Sequence, residues 1–153
     1  MYVLIRTNSD DPDFQKLVKE LDMDLAIRDG EEHAFFAQFN KIDSIKFVVL
    51  AYENGRAVGC GAIKEYAKDT MEVKRMYVLP EERGKSIASV ILNELEKWGQ
   101  ELNCEKFILE TGIKQPEAIG LYNKNSYTLI PNYGQYDGVA SSVCFEKYLP
   151  KNY

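Results

Sequence analysis

The sequence predicts a mixed α+β fold: a mostly antiparallel sheet of six to seven strands, one βαβ crossover and about four flanking helices. Three observations carry that expectation. Short, β-rich apolar runs recur along the chain. Asn54-Gly55 joins two of them, and Asn-Gly is the strongest short-range hairpin signal. A helical stripe over residues 84–100 separates two other runs, which makes those strands parallel neighbours.

Taken in order, Tyr2 to Arg6 reads as an edge strand. Asp10-Asp11-Pro12-Asp13 starts a helix, with acids and proline at its positive end. Phe14, Leu17, Val18 and Leu21 follow at helical spacing, and the helix fades near Leu25 because Asp29-Gly30 is a turn signal. Glu31 to Asn40 forms a second helix with Phe35, Phe36 and Phe39 on one side. Phe47 to Tyr52, Ala57 to Tyr66 and Met71 to Leu79 form an antiparallel meander, stopped by Pro80. A helix from about Gly84 to Gln100 buries Ile87, Val90, Ile91, Leu95 and Trp98. Lys106 to Thr111 is the strand that closes the crossover. Pro116 opens a further helix carrying Ala118, Ile119 and Tyr122, and Tyr127 to Ile130 pairs with Val143 to Tyr148 across a 131–142 loop. No repeat, linker or low-complexity tract interrupts this pattern, so residues 1–153 are expected to form a single domain.

The composition narrows the function. Hydrophobic residues make up 45% and charged residues 28%, as in a soluble globular chain. The net charge of −5 argues against nucleic acid, whose phosphates need a basic surface. No apolar run is long enough to span a membrane, and the first residues lack a signal-peptide pattern, so the cytoplasm is expected. Cys60, Cys104 and Cys144 are odd in number and widely spaced, which disfavours disulfides and a metal site. They read as small buried hydrophobes. His33, the one histidine, reads as a surface or packing residue.

The chemistry is concentrated in Glu72 to Leu92, EVKRMYVLPEERGKSIASVIL. A strand ends at Pro80, and a short turn leads into a helix whose first residues are small: Gly84, Ser86 and Ala88. Arg83 and Lys85 add positive charge, and the free N–H groups of a first helical turn make an anion site suited to a pyrophosphate. Taken alone, the same pattern also fits an ordinary strand, turn and helix. It is neither GxGxxG nor a P-loop.

This segment resembles motif A of the GNAT superfamily, the Gcn5-related N-acetyltransferases. Their phosphate signature is [Q/R]-x-x-G-x-[G/A], and Arg83-Gly84-Lys85-Ser86-Ile87-Ala88 departs from it at Ser86, where glycine is usual. Ala118 to Tyr127, AIGLYNKNSY, resembles motif B, A-x-x-L-Y-x-K-x-G-[FY], with Ser126 in place of glycine. The order of strands and helices is also similar, and the resemblance covers residues 45–148.

The resemblance implies a GNAT-like fold and acetyl-CoA as cosubstrate, with no metal. It implies that the amides of Arg83, Gly84, Lys85, Ser86, Ile87 and Ala88 hold the pyrophosphate. Because Ser86 lies inside the expected helix start, we expect helical backbone there and a hydroxyl free to bond a phosphate. By similarity, the backbone of Met76 and Val78, with Tyr77 between them, pairs with the pantetheine arm like an added strand. Tyr122 matches the family's tyrosine acid, which protonates the departing thiolate; without the motif it would read as a core aromatic. Glu72 stands eleven residues before Arg83, the spacing of the glutamate base in some members. Strand alternation puts it on a face with Lys74, Met76 and Val78, unless a bulge intervenes. A solvated strand charge is an equal reading, and Glu110 is a second candidate base.

By the same likeness, residues 23–40 form a substrate wall. The acids Asp22, Asp24, Asp29, Glu31 and Glu32 there could attract a cationic amine or be plain helix surface. Tyr133, Tyr136 and Asp137 place aromatic content in the 131–142 loop, which could close over the acceptor. The expected function is direct acetyl transfer from acetyl-CoA to a small-molecule or peptide amine, with homodimers common among relatives. A non-catalytic acyl-CoA sensor is the alternative. A third class, a phosphate-ester transferase built on the anion site, lacks its metal cluster and P-loop.

Overall fold

The structure, a computed structural model, describes residues 2–30 and 44–151, without the side chains of Arg28 and Asp29. Its strands are β1 (Val3–Thr7), β2 (Phe47–Glu53), β3 (Arg56–Ala67), β4 (Thr70–Val78), β5 (Lys106–Gly112), β6 (Thr128–Ile130) and β7 (Ser142–Tyr148). They form one seven-stranded sheet in the order β1-β2-β3-β4-β5-β7-β6. Every neighbouring pair is antiparallel except β4 and β5. Three α-helices are described: α1 (Pro12–Asp29), α2 (Ile87–Glu101) and α3 (Pro116–Lys124). The helix expected over Glu31–Asn40, and His33 with it, lies outside the described residues.

Local chemistry accounts for the elements. The Asp11 carboxylate caps α1 by accepting from the Asp13 N–H at 2.9 Å, and Pro12 occupies the first helical position. Phe14, Leu17, Val18 and Leu21 turn one face of α1 into the core. The helix continues past Leu25 to Asp29, because the stop signal acts only at Gly30, where φ is 58°. Asn54 (φ 52°) and Gly55 (φ 78°) make the two-residue turn between β2 and β3, with the paired positive φ of a type I′ hairpin.

The face of α2 buried on the sheet is Ile87, Ile91, Leu92 and Leu95, each apolar side chain contributing about 1.5–3 kcal/mol. Val90 and Trp98, expected in that stripe, are only partly buried. The Trp98 indole meets Phe47 edge-on at 5.2 Å and carries the Arg6 guanidinium 4.9 Å above it. Gly61 allows α2 to sit close: a Cβ there would lie 2.9 Å from Ile91 Cγ2 and 3.1 Å from Leu95 Cδ1.

Two irregularities in β4 shape the molecule. The first is a bulge. Cys60 pairs with Tyr77 and Ala62 with Lys74, so Gly61 faces both Arg75 and Met76, and Arg75 takes a left-handed φ of 60°. Alternation therefore slips by one. The face holding Glu72 and Lys74 continues as Tyr77, while Met76 turns to the α2 side against Gly61. Glu72 thus does not share a face with Met76 and Val78. The second is a divergence. β4 pairs with β5 only through Thr70–Glu72 and Lys106–Ile108, after which the two strands separate.

Candidate active site

The divergence of β4 from β5 opens a cleft of about 450 Å³, within the range of small-ligand sites. One wall is β4 from Glu72 to Val78; the other is Glu110 to Gly112 of β5 with Ala118, Leu121 and Tyr122 of α3. The Glu82–Gly84 turn and the first turn of α2 close one end. Leu21, Asp24 and Leu25 of α1 and Tyr136 also contribute.

The α2 end is made of backbone. A 3₁₀ turn, Pro80–Glu82, leads to Gly84 at φ 80° and to Ser86 at φ 66°, ψ 17°. Ser86 is therefore left-handed and is the N-cap of α2, which begins at Ile87 and not at Gly84. The helical backbone expected at Ser86 is not present. Serine in this conformation costs about 1 kcal/mol or more relative to glycine. Its hydroxyl makes no capping bond, and the first intrahelical bond runs from Val90 N–H to Ser86 O. The amides of Ile87, Ala88 and Ser89 thus have no partner within the helix. A Cβ on Gly84 would meet nothing within 4 Å, so this end of the cleft is open. Lys85 donates to Glu82 Oε1 at 2.9 Å and does not line the cleft. Arg83 lies over the Tyr77 ring at 5.5 Å, and its Nε donates to Val78 O at 3.0 Å.

The β4 wall offers hydrogen-bonding groups. Leu79 N–H bonds Val58 O on β3, so antiparallel alternation turns the backbone groups of Val78 and Met76 away from β3, into the cleft. Arg83 occupies one of them, the Val78 carbonyl.

The opposite end is made of side chains. Tyr122 is buried, and its position follows from how α3 ends. Tyr127 N–H bonds Tyr122 O at 3.0 Å and Ser126 N–H bonds Asn123 O at 3.3 Å. With Ser126 at φ 71°, these bonds form a Schellman motif, and the Tyr127 ring packs on Tyr122 at 5.5 Å. The usual glycine before an aromatic residue in motif B thus corresponds here to a helix stop that seats Tyr122. Burial, and then the charge of Glu110, raise the Tyr122 pKa, so its hydroxyl keeps its proton at neutral pH. Glu72 is 7% exposed. Its carboxylate accepts from Tyr133 Oη at 2.5 Å and lies 3.5 Å from Lys74 Nζ. Glu110 accepts from Ser142 Oγ at 2.7 Å. Tyr133 stands edge-on between Tyr66 (5.3 Å) and Tyr136 (5.8 Å), so the loop after β6 is packed down on the Glu72 side of the sheet. The three cysteines are free and buried; burial pushes the Cys60 thiol up to about 12 and the Cys144 thiol up to about 11. Neither supplies a thiolate at neutral pH.

Residues 10–127 match the model of the acetyltransferase (GNAT) family. The chain belongs to that family. An "IAA acetyltransferase" from Azospirillum brasilense is 35% identical over 138 residues, 86% of this chain and 88% of that one. A candidate acyl-CoA N-acyltransferase from Klebsiella pneumoniae superposes with a TM-score of 0.81 at 29% identity, over 97% of this chain and 98% of that one. The PaiA N-acetyltransferase of Thermoplasma acidophilum, solved with coenzyme A, shares the fold with a TM-score of 0.71 at 16% identity, over 97% and 99% of the two chains.

Of the residues singled out from the sequence of this GNAT acetyltransferase, Glu72, Met76, Tyr77, Val78, Arg83, Gly84, Ser86, Ile87, Ala88 and Tyr122 line the cleft. Lys85 does not. Of the α1 acids, Asp24 lines it. Sequence reasoning missed Arg75, Thr111, Ser142 and the contact between Tyr133 and Glu72. For Tyr133 the only signal was the aromatic content of its loop; for Arg75 there was none, because a bulge cannot be read from alternation alone. Among the described residues, no group of three or more His, Cys, Asp or Glu could hold a metal ion, and no helix is long and apolar enough to cross a membrane.

Proposed function

We propose that this protein is a cytoplasmic N-acetyltransferase that moves an acetyl group from acetyl-CoA to an amine within a ternary complex. The observation that carries this reading is that one cleft joins the uncapped start of α2, the inward-turned backbone of β4 and the Tyr122 side chain. These residues fit acetyl-CoA: amides for a pyrophosphate, a strand edge for an amide-containing arm, and a protonated phenol at the far end. The cosubstrate supplies an acetyl thioester.

The backbone of residues 83–88 binds anionic phosphates, and Met76 and Val78 orient the arm through their peptide groups. Holding both reactants in register supplies much of the acceleration. Glu72, which lines the cleft, accepts a proton from the attacking amine, directly or through water; Glu110, which also lines it, is the second candidate for that step. Tyr122 donates its proton to the leaving sulfur. The Tyr133 and Lys74 contacts hold the Glu72 carboxylate in place.

The test is coenzyme A release from acetyl-CoA across a panel of amines, with Tyr122→Phe beside the wild type. We expect amine-dependent release and a fall of about 10²–10⁴ in kcat for the variant, with coenzyme A binding retained. Tight acetyl-CoA binding without turnover of any small amine, peptide or protein would instead identify a sensor.

A further inference from the structure

Arg75 is a cation that the chemistry above does not use. It sits in the bulge of β4 with a left-handed backbone, and its side chain is only 4% exposed. One arm of its guanidinium is committed: Nη1 donates to Asp22 Oδ1 at 2.8 Å. The other, Nη2, is buried without a hydrogen-bond partner among the described residues. A buried, charged donor left unsatisfied is rare and costly, so such a group calls for a partner: a water, an ion or a ligand group. Arg75 also lines the cleft, in company with Leu21, Asp24 and Leu25 of α1.

The placement says what would satisfy it. Arg75 is three residues beyond Glu72 on the same strand, roughly 10 Å at strand spacing and less across a bulge. The bulge turns Arg75 toward α1, the side of the sheet that carries Glu72 and Tyr77. A guanidinium fork with one free arm takes a carboxylate oxygen in a charge-assisted bond. The carboxylates of Glu72 and Glu110, set against the one ammonium of Lys74, leave a net negative charge at the other end of the same space. The cleft therefore presents an anion site and a cation site a short distance apart.

We propose that the acceptor is a small amino carboxylic acid, held by its carboxylate on Arg75 Nη2 while its amine lies toward Glu72 and Glu110. This rests on the acetyltransferase reading and deepens it: Arg75 selects which amines enter, and the transfer itself still runs through Tyr122 and the carboxylates. The strained backbone and the orphaned donor are then two parts of one device, since a straight strand would not present Arg75 on this side.

The test compares free amino acids with their carboxamides, which keep the amine and lose the anion. Two readouts are taken: calorimetric binding to the protein–coenzyme A complex, and coenzyme A release with acetyl-CoA. For the wild type, at least one amino acid should exceed its carboxamide by about 10- to 100-fold in Kd and in kcat/KM. Arg75→Gln should erase that preference, and Arg75→Lys should restore part of it. Unchanged coenzyme A affinity in both variants checks that the fold is intact. Should either variant fail to fold, the comparison of acids with carboxamides in the wild type still decides. Carboxamides or plain amines that bind and react as well as the acids would overturn the proposal, as would a preference that survives Arg75→Gln. Amino acids that bind through Arg75 but are never acetylated would leave the carboxylate site standing and overturn the acetyltransferase reading instead.

Discussion

The two ends of the cleft are built on different principles. The α2 end comes from a contiguous stretch, residues 78–89, and what it offers is backbone: amides with no partner within the helix, a left-handed Ser86 and an open Gly84. Its side chains are largely occupied with each other, Lys85 with Glu82 and Arg83 with Val78 and Tyr77. The opposite end draws Glu72, Glu110, Tyr122, Tyr133 and Ser142 from five separate segments, and what it offers is side chains. The first end should tolerate side-chain replacement and resist changes in backbone; the second should do the reverse.

The sharpest break of that contrast is Glu72→Gln. If Glu72 is the base, steady-state kinetics should show kcat lower by about 10²–10⁴ with coenzyme A affinity unchanged. Tyr133→Phe, which removes the 2.5 Å contact, should reduce kcat by about 10- to 100-fold through misplacement of the carboxylate. If Glu110→Gln produces the large loss and Glu72→Gln does not, the base is Glu110.

A smaller effect of opposite sign is expected at the two serines. Ser86→Gly and Ser126→Gly should each stabilise the fold by about 1 kcal/mol, because both positions have positive φ. Thermal unfolding should show a rise of roughly 2–4 °C for each. A fall in coenzyme A affinity for Ser86→Gly alone would show that the Ser86 hydroxyl contributes to phosphate binding. The smallest effect is at Lys85: Lys85→Ala should change coenzyme A affinity by no more than about fivefold, since its ammonium is held by Glu82 and does not line the cleft. A larger loss would mean that this end depends on side-chain charge as well.

The same contrast explains what could be read in advance. The hairpin at Asn54-Gly55, the cap at Asp11 and the strand–turn–helix passage at Pro80 are local, so short-range patterns report them. Ser86 misled because a serine at a helix start is ordinarily a capping residue with extended backbone or the first helical residue, and neither describes its φ of 66°. Glu72 was legible as a candidate, but its face was not. The one-residue slip at Gly61, Arg75 and Met76 reverses every alternation argument beyond it.

The α+β class, a sheet of six to seven strands, the two motifs and the order in which they occur are all legible in the chain. Periodicity, turn residues and caps are interactions within a few residues, and these are written directly into the chain. It took the folded arrangement to bring Tyr133 to Glu72 and Ser142 to Glu110, and to turn Arg75 toward α1 with one arm lacking a partner among the described residues. Those contacts join residues 32 to 61 positions apart through a strand divergence and a bulge, and no local pattern records where such irregularities carry a side chain.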